Sequence, residues 1–504
     1  MSVSGEDRDR QVVPRWRSFA DAGQFGELQP IATRPPGTFS EALLAEDLED
    51  WQKEKGLSIA ADLVSSAVTI GLPNSARDAA RYVLSHEHAP STAREVAKHC
   101  LDDAGAPPSE LFVSSYKFPS CLQFGASIRS IRQRLAVYPY NPVLWTNLSL
   151  IYISLGQVRK AERAMAVALA LAPHDRFVVR AACRLFLHQH DSERAHEVLL
   201  RAESTKHDPW LLASEIAVAS VRRRSSSNIK VARRMVDAGK VRPFHLSELS
   251  GALGTLEVVS GHRKNAAKLL EYSMTEPAEN AIAQVAWIIR NVDSSVIKPI
   301  ALITDRSSEA SAWVARAAGD WNDAFDHAKQ WQMEQPFSSR PALIASHAAS
   351  TGLEDFDAAV EVLEQGLLCN PDDSSLLNNH AFAMAKQNRL IEARQSLARA
   401  VNLSASPDTR ICLTATEGLI EFRSGNVELG RKLYRKAMSD AAERSDNGLG
   451  EVAQINLAIE EGLAHTAVAT ESIREAIENA KSLRSPYRET FLKKLARLTA
   501  PASL

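Results

Sequence analysis

Apolar residues return along this chain with a helical period that breaks and restarts about every 34 residues. Residues 142–173, PVLWTNLSLIYISLGQVRKAERAMAVALALAP, show one whole cycle. Trp145, Leu148 and Tyr152 mark a first helix, Gly156 a turn, and Ala161, Met165 and Ala168 a second helix that stops at Pro173. Ala161 falls where the second helix crosses the first, and a larger side chain there would force the pair apart. It therefore serves as a ruler. Ala195 lies 34 residues on, followed by Leu199 and Ala202; Ala232 comes 37 later and Ala266 another 34. After a poorly patterned stretch the register resumes at Ala324 with Pro336, at Ala359 with Pro371 and at Ala393, and Gly430 with Tyr434 and Ala437 continues it. Gly156, Gly261, Gly319 and Gly425 each precede a ruler residue by five, where the turn needs a residue indifferent to the sign of φ. The pattern predicts an all-α chain of antiparallel helix pairs.

In order and offset, the 142–173 unit closely resembles a tetratricopeptide repeat (TPR), with Ser149 where the family usually has Gly and Met165 where it usually has Phe. Both are tolerable packing substitutions. The resemblance covers residues 125 to 440 and implies a right-handed superhelical solenoid of TPR-like helix-turn-helix repeats, preceded by a helical N-terminal segment. No repeat in such an array buries its apolar face alone, so neighbours supply the core.

The flanks differ in kind. Residues 1–40 carry Pro14, Pro30, Pro35 and Pro36 beside Trp16, Phe19, Phe25 and Phe39, a tail whose rings either dock on the chain's own helices or form a motif held by another protein, with Trp16 and Phe19 the docking candidates. Residues 41–120 read as a helical region, degenerate repeats or a small domain, with helices over 42–55, 57–70, 75–86 and 91–103 and a proline-rich joint at 104–120. The solenoid then runs over 121–447, with an irregular stretch at 276–306, and helices over 448–504 cap it. In the last of these, Ser485 and Pro486 start a helix with an apolar stripe of Phe491, Leu495 and Leu498 and a basic face of Arg488, Lys493, Lys494 and Arg497.

Composition narrows the function. The 504 residues hold 59 Lys plus Arg against 61 Asp plus Glu, so neither a global nucleic-acid field nor an acidic solvating chain is supported, and a basic site must be local. The longest wholly apolar run, Ala164–Ala172, is far short of the roughly 20 residues a membrane-spanning helix needs. With MSVSGEDRDR at the start and no apolar stretch behind it, the expected location is cytoplasmic and no membrane is expected among the partners. Five scattered cysteines without a CxxC read as free thiols. No phosphate-binding, dinucleotide, zinc-protease, serine-hydrolase or kinase motif appears, so no cofactor and no metal are expected. His86 and His88 with His99 and Cys100, and His188 with His190, read as solvated or capping groups, since four convergent ligands are missing. Glu460 with Glu461, and Asp355 with Asp357, read as solvated acids.

The family resemblance implies that the first helix of each repeat lines an inner surface. Arg180, Arg184 and His188 then share one helix face as a cationic stripe, and Arg224, Arg316, Lys386 and Arg423 take comparable inward offsets in later repeats. Asn147, Asn378 and Asn379 stand where asparagines of peptide-binding family members hydrogen-bond a ligand; packing is the plainer account of them. A second feature is the basic segment 221–242, with Arg222, Arg223, Arg224, Lys230, Arg233 and Arg234, but no aromatic residue to stack on bases. The expected function is a non-catalytic scaffold or regulatory subunit that binds a protein partner, one with an acidic or extended segment. The alternatives are a nucleic-acid-associated regulator using 221–242, and an enzyme with a site around His86, Glu87 and His88.

Overall fold

The computed structural model describes residues 41–53, 55–70, 72–87, 89, 91–101, 121–137, 139–239, 241–292, 304–403, 405–444, 447–483 and 487–499. The tail with Trp16 and Phe19, the joint at 104–120, residues 293–303 of the irregular stretch, His88, Ser485 and Pro486 lie outside the described residues. Among the described residues every regular element is helical. The chain divides into two compact units, with the boundary between Arg306 and Ser307.

In the N-terminal unit, α1 (Glu41–Lys53), α2 (Leu57–Ile70), α3 (Arg77–Ser85) and α4 (Ser91–Leu101) share a core that includes Leu44, Trp51, Leu63, Val83 and Ala97. After α5 (Cys121–Val137) the helices come in antiparallel pairs: α6 (Pro142–Ser154) with α7 (Val158–Leu171), α8 (Arg176–His188) with α9 (Ser192–Arg201), α10 (Pro209–Val221) with α11 (Ile229–Ala238), and α12 (Pro243–Val259) with α13 (Arg263–Ser273). Helix α14 (Glu279–Asn291) packs on α12. Each first helix also packs directly on the next first helix, α6 on α8, α8 on α10 and α10 on α12, so the first helices form one continuous layer.

The C-terminal unit repeats this plan with α15 (Ser308–Ala318) and α16 (Trp321–Glu334), α17 (Ser339–His347) and α18 (Phe356–Cys369), α19 (Ser374–Lys386) and α20 (Leu390–Val401), α21 (Pro407–Arg423) and α22 (Val427–Glu443), α23 (Asn447–Leu463) and α24 (Ala469–Ser482), and α25 (Tyr487–Thr499). Its first helices, α17, α19, α21 and α23, again form the layer. Helix α17 runs on through a wide turn at Ala348–Leu353, which closes over the Trp321 ring at Gly352. The two solenoidal stacks are each all-α and TPR-like.

Local chemistry explains where the helices begin and turn. Asn141, Asp175, Asp208, Asp373 and Ser406 cap α6, α8, α10, α19 and α21 through side-chain oxygens that accept from the free first-turn N–H groups, each contributing about 1 kcal/mol. Pro142, Pro209 and Pro407 occupy first-turn positions, where their missing N–H costs nothing. All seven alanines of the ruler, from Ala161 to Ala393, are 0% exposed. The four turn glycines take φ of 66°, 79°, 86° and 89°. In three repeats without a glycine five residues before the ruler alanine, another residue is held there in the same left-handed conformation, His190 (φ 60°), Glu354 (φ 58°) and Asn388 (φ 63°); before Ala232 it is Arg223 (φ 54°), earlier in a longer turn. The turn geometry belongs to the repeat, and the side chain adapts to it.

Candidate partner-binding face

The sequence-derived binding candidates fall mainly on the layer of first helices, and the charged side chains there are largely engaged by one another. In the N-terminal unit, Arg180 on α8 is buried. Its Nη2 donates to both carboxylate oxygens of Glu248 on α12 at 3.1 Å, and its guanidinium lies over the Trp210 ring at 5.1 Å. Arg176, one turn earlier, donates from Nε to Asp208 at 2.6 Å and covers the same ring. The Trp210 indole N–H in turn donates to His245 Nδ1 at 3.2 Å. Burial, with Arg176 and Arg242 nearby, holds the His245 imidazole down at about 4, so it is neutral and free to accept.

This changes the expected cationic stripe. Arg180 is neutralised inside the unit, and His188, half-buried, is pushed down to about 3 by burial and by Arg184 and His190, so it carries no charge near neutral pH. Arg184 is the half-buried cation between them. Asn147 on α6 is half-buried, and its Oδ1 accepts no hydrogen bond from the described residues.

The basic segment divides in the same way. Arg222 donates to His196 and, at 3.0 Å, to Glu193, while Arg233 is ion-paired with Glu257, which also meets His262 at 3.0 Å. Arg223, Arg224, Lys230 and Arg234 are exposed and form no ion pair with a described residue. Arg223 and Arg224 sit on the turn after α10, where Arg223 takes φ 54° and the Arg224 N–H returns to the Ala219 carbonyl. Lys230 and Arg234 share the outer side of α11, opposite the buried Ala232.

In the C-terminal unit the candidates are occupied. Asn378 and Asn379 are fully buried: Asn378 donates to Asn379 and accepts from Thr416 at 3.0 Å, and Asn379 donates to Ser346 at 3.2 Å. These amides tie α17, α19 and α21 together, a packing role. Lys386 donates to Glu460 at 2.6 Å, and Arg423 donates to the same carboxylate at 2.9 and 3.2 Å and to the Ala385 and Lys386 carbonyls. Burial pushes the Glu460 carboxyl up, but the two cations outweigh it and hold it below the usual carboxylate range. Arg316 donates to the Tyr487 hydroxyl of α25 at 2.5 Å.

Glu460 and Glu461 are therefore not solvated acids. They are 3% and 0% exposed, and Arg431 grips Glu461 at 2.6 and 3.0 Å. Sequence reasoning passed over Glu248 and misread Glu460, the carboxylates that pair with Arg180, Lys386 and Arg423. A signal existed: Lys386, Arg423 and Glu460 are spaced 37 and 37 residues apart, the same place in three successive repeats. The N-terminal histidine cluster takes a structural form, with Arg94 donating to the backbone carbonyls of His86 and Glu87 at 2.6 and 3.1 Å. Among the described residues no group of three or more His, Cys, Asp or Glu is arranged to hold a metal, and no helix is long and apolar enough to cross a membrane.

Residues 143–175, which are α6, α7 and the turn into α8, match the tetratricopeptide repeat family model. That segment is a tetratricopeptide repeat. No curated relative matches the sequence significantly. Among solved structures, the chain is similar to the Cut9–Hcn1 hetero-tetramer of APC/C (12% identity, 90% of this chain and 93% of that one, TM-score 0.41). It is also similar to yeast Tom70 (15%, 75% and 92%, TM-score 0.30) and to the human IFIT1 dimer with PPP-AAAA (12%, 76% and 96%, TM-score 0.35). At these distances, what those proteins bind does not transfer to this one.

Proposed function

We propose that this TPR chain is a non-catalytic protein-interaction scaffold or regulatory subunit, and that its N-terminal unit receives an acidic, extended segment of a protein partner. The observation that carries the reading is the uneven neutralisation of cations. Arg180, Arg222, Arg233, Lys386 and Arg423 each face a carboxylate of the same unit, whereas Arg223 and Arg224 on the turn after α10, and Lys230 and Arg234 on the outer side of α11, stand exposed without one. An acidic segment crossing the turn after α10 meets Arg223 and Arg224 first, and it can continue onto the layer toward Arg184 and Asn147. Exposed cations of this kind contribute chiefly to association rate and specificity, with an affinity that falls as salt rises.

Charge reversal tests the reading, provided it avoids the internal pairs. Arg180→Glu would set two carboxylates together in the core and report on folding. Arg223→Glu combined with Arg224→Glu touches no internal partner. The double variant should retain wild-type helicity by circular dichroism and lose about tenfold or more in affinity for the captured partner at low salt. Equal affinity of the variant and the wild type would remove this surface from the account.

A further inference from the structure

We propose that the first-helix layer of the C-terminal unit is a helix-binding groove occupied by the chain's own α25, and that its partner class is an amphipathic helix presenting a phenol, a small hydroxyl and two cations in the spacing of Tyr487, Thr490, Lys494 and Arg497. A solenoid is held by contacts between neighbouring repeats. Helix α25 makes those, burying Phe491 and Leu495 against Ile455, Ala458, Ile473 and Ala476 of α23 and α24. It also reaches residues 140 to 171 positions away, at the opposite end of the unit. The second set of contacts joins hydrogen bonds and ion pairs to an edge-on aromatic contact.

Arg316 of α15 can only donate, so the Tyr487 oxygen accepts from it, which leaves the phenol proton for His347 Nε2 of α17 at 2.9 Å. His347 is suited to accept: burial, with Arg316 and Lys494 nearby, keeps its imidazole neutral. The Tyr487 ring meets Trp321 edge-on at 5.7 Å, and the Trp321 indole N–H donates to Thr490 at 2.9 Å. One and two turns further along, Lys494 and Arg497 pair with Glu354 at 3.4 and 2.6 Å. Glu354 occupies the left-handed turn position that other repeats give to glycine, which aims its carboxylate at α25. The apolar stripe thus hinges α25 on the last repeat, and a polar latch of four side chains, each with a directional partner, holds it across the first. A helix laid in a groove and read at i, i+3 and i+7 is an established mode of recognition.

The test is hydrogen exchange on the full-length chain carrying Tyr487→Phe, Thr490→Val and Glu354→Gln together, with Tyr487→Phe alone as the milder variant. Amides of α15 to α17 and of α25 should exchange at least tenfold faster, with α19 to α22 unchanged. A synthetic peptide spanning residues 487–499, added in trans, should restore slow exchange in α15 to α17, and the same peptide with Tyr487→Phe should not. Unaltered exchange in both variants, an equal rise through α19 to α22, or a peptide without effect would overturn the inference. None of these readouts involves Arg223 or Arg224, so the groove and the acidic-partner reading stand or fall separately.

Discussion

Replacing Glu460 with alanine will cost the chain about 3–5 kcal/mol of stability, because it removes the carboxylate that Lys386 and Arg423 share where they are largely shielded from water. The carboxylate sits on α23 between first helices α19 and α21, so its loss strips the joint of three repeats at once. Glu460→Gln, which keeps the shape and one acceptor, should cost less than alanine. Chemical denaturation of the full chain measures both, and a loss under about 1 kcal/mol for the alanine variant would show that the triad is solvated. The pH dependence has a fixed sign. Since the folded carboxyl titrates below its ordinary 4.5, the contribution is complete above that value and is lost as pH falls through the folded-state one.

Gly430→Leu should be comparably damaging for a steric reason. A Cβ on Gly430 would lie 2.8 Å from the Gly418 carbonyl oxygen and 2.9 Å from the Phe422 nitrogen, both backbone atoms that cannot rotate aside. Helices α21 and α22 must separate to admit it, and with a leucine the loss should reach or exceed the roughly 1–3 kcal/mol typical of overpacking. Gly425→Ala is the control. Its φ of 89° makes any side chain strained, yet nothing lies within 4 Å of the added Cβ, so its cost is conformational and about 1–2 kcal/mol. Equal tolerance of Gly430→Leu and wild type in a denaturation series would mean that the pair does not cross as closely as the structure has it.

Most of the fold was legible because a helix crossing leaves a steric trace that recurs. Ala161 predicted the buried positions of six later alanines, and Gly156 predicted a left-handed turn that His190, Glu354 and Asn388 adopt without glycine. Of the candidate site, only the helices that carry it were legible. Offsets put Arg180, Lys386 and Arg423 on first helices, but whether such a cation faces water or a carboxylate depends on the second repeat along, and Glu248 and Glu460 lie 68 and 74 residues away from Arg180 and Lys386. Helix periodicity carries no information at that range, and only the repeat spacing of 37 residues linked Lys386, Arg423 and Glu460. For the same reason Lys494 looked like part of a solvated basic face, while it is 14% exposed beside Glu354. The Tyr487 latch spans still more chain and had no sequence signal at all.

Affinity capture of the tagged full-length protein from its own cells, washed at low and then at high salt and read by mass spectrometry, tests the central claim most directly. The account predicts one protein retained in stoichiometric amount, held better at low salt and weakened by Arg223→Glu with Arg224→Glu. Nucleic acid released by salt with no protein retained, or nothing retained at either salt, would contradict it.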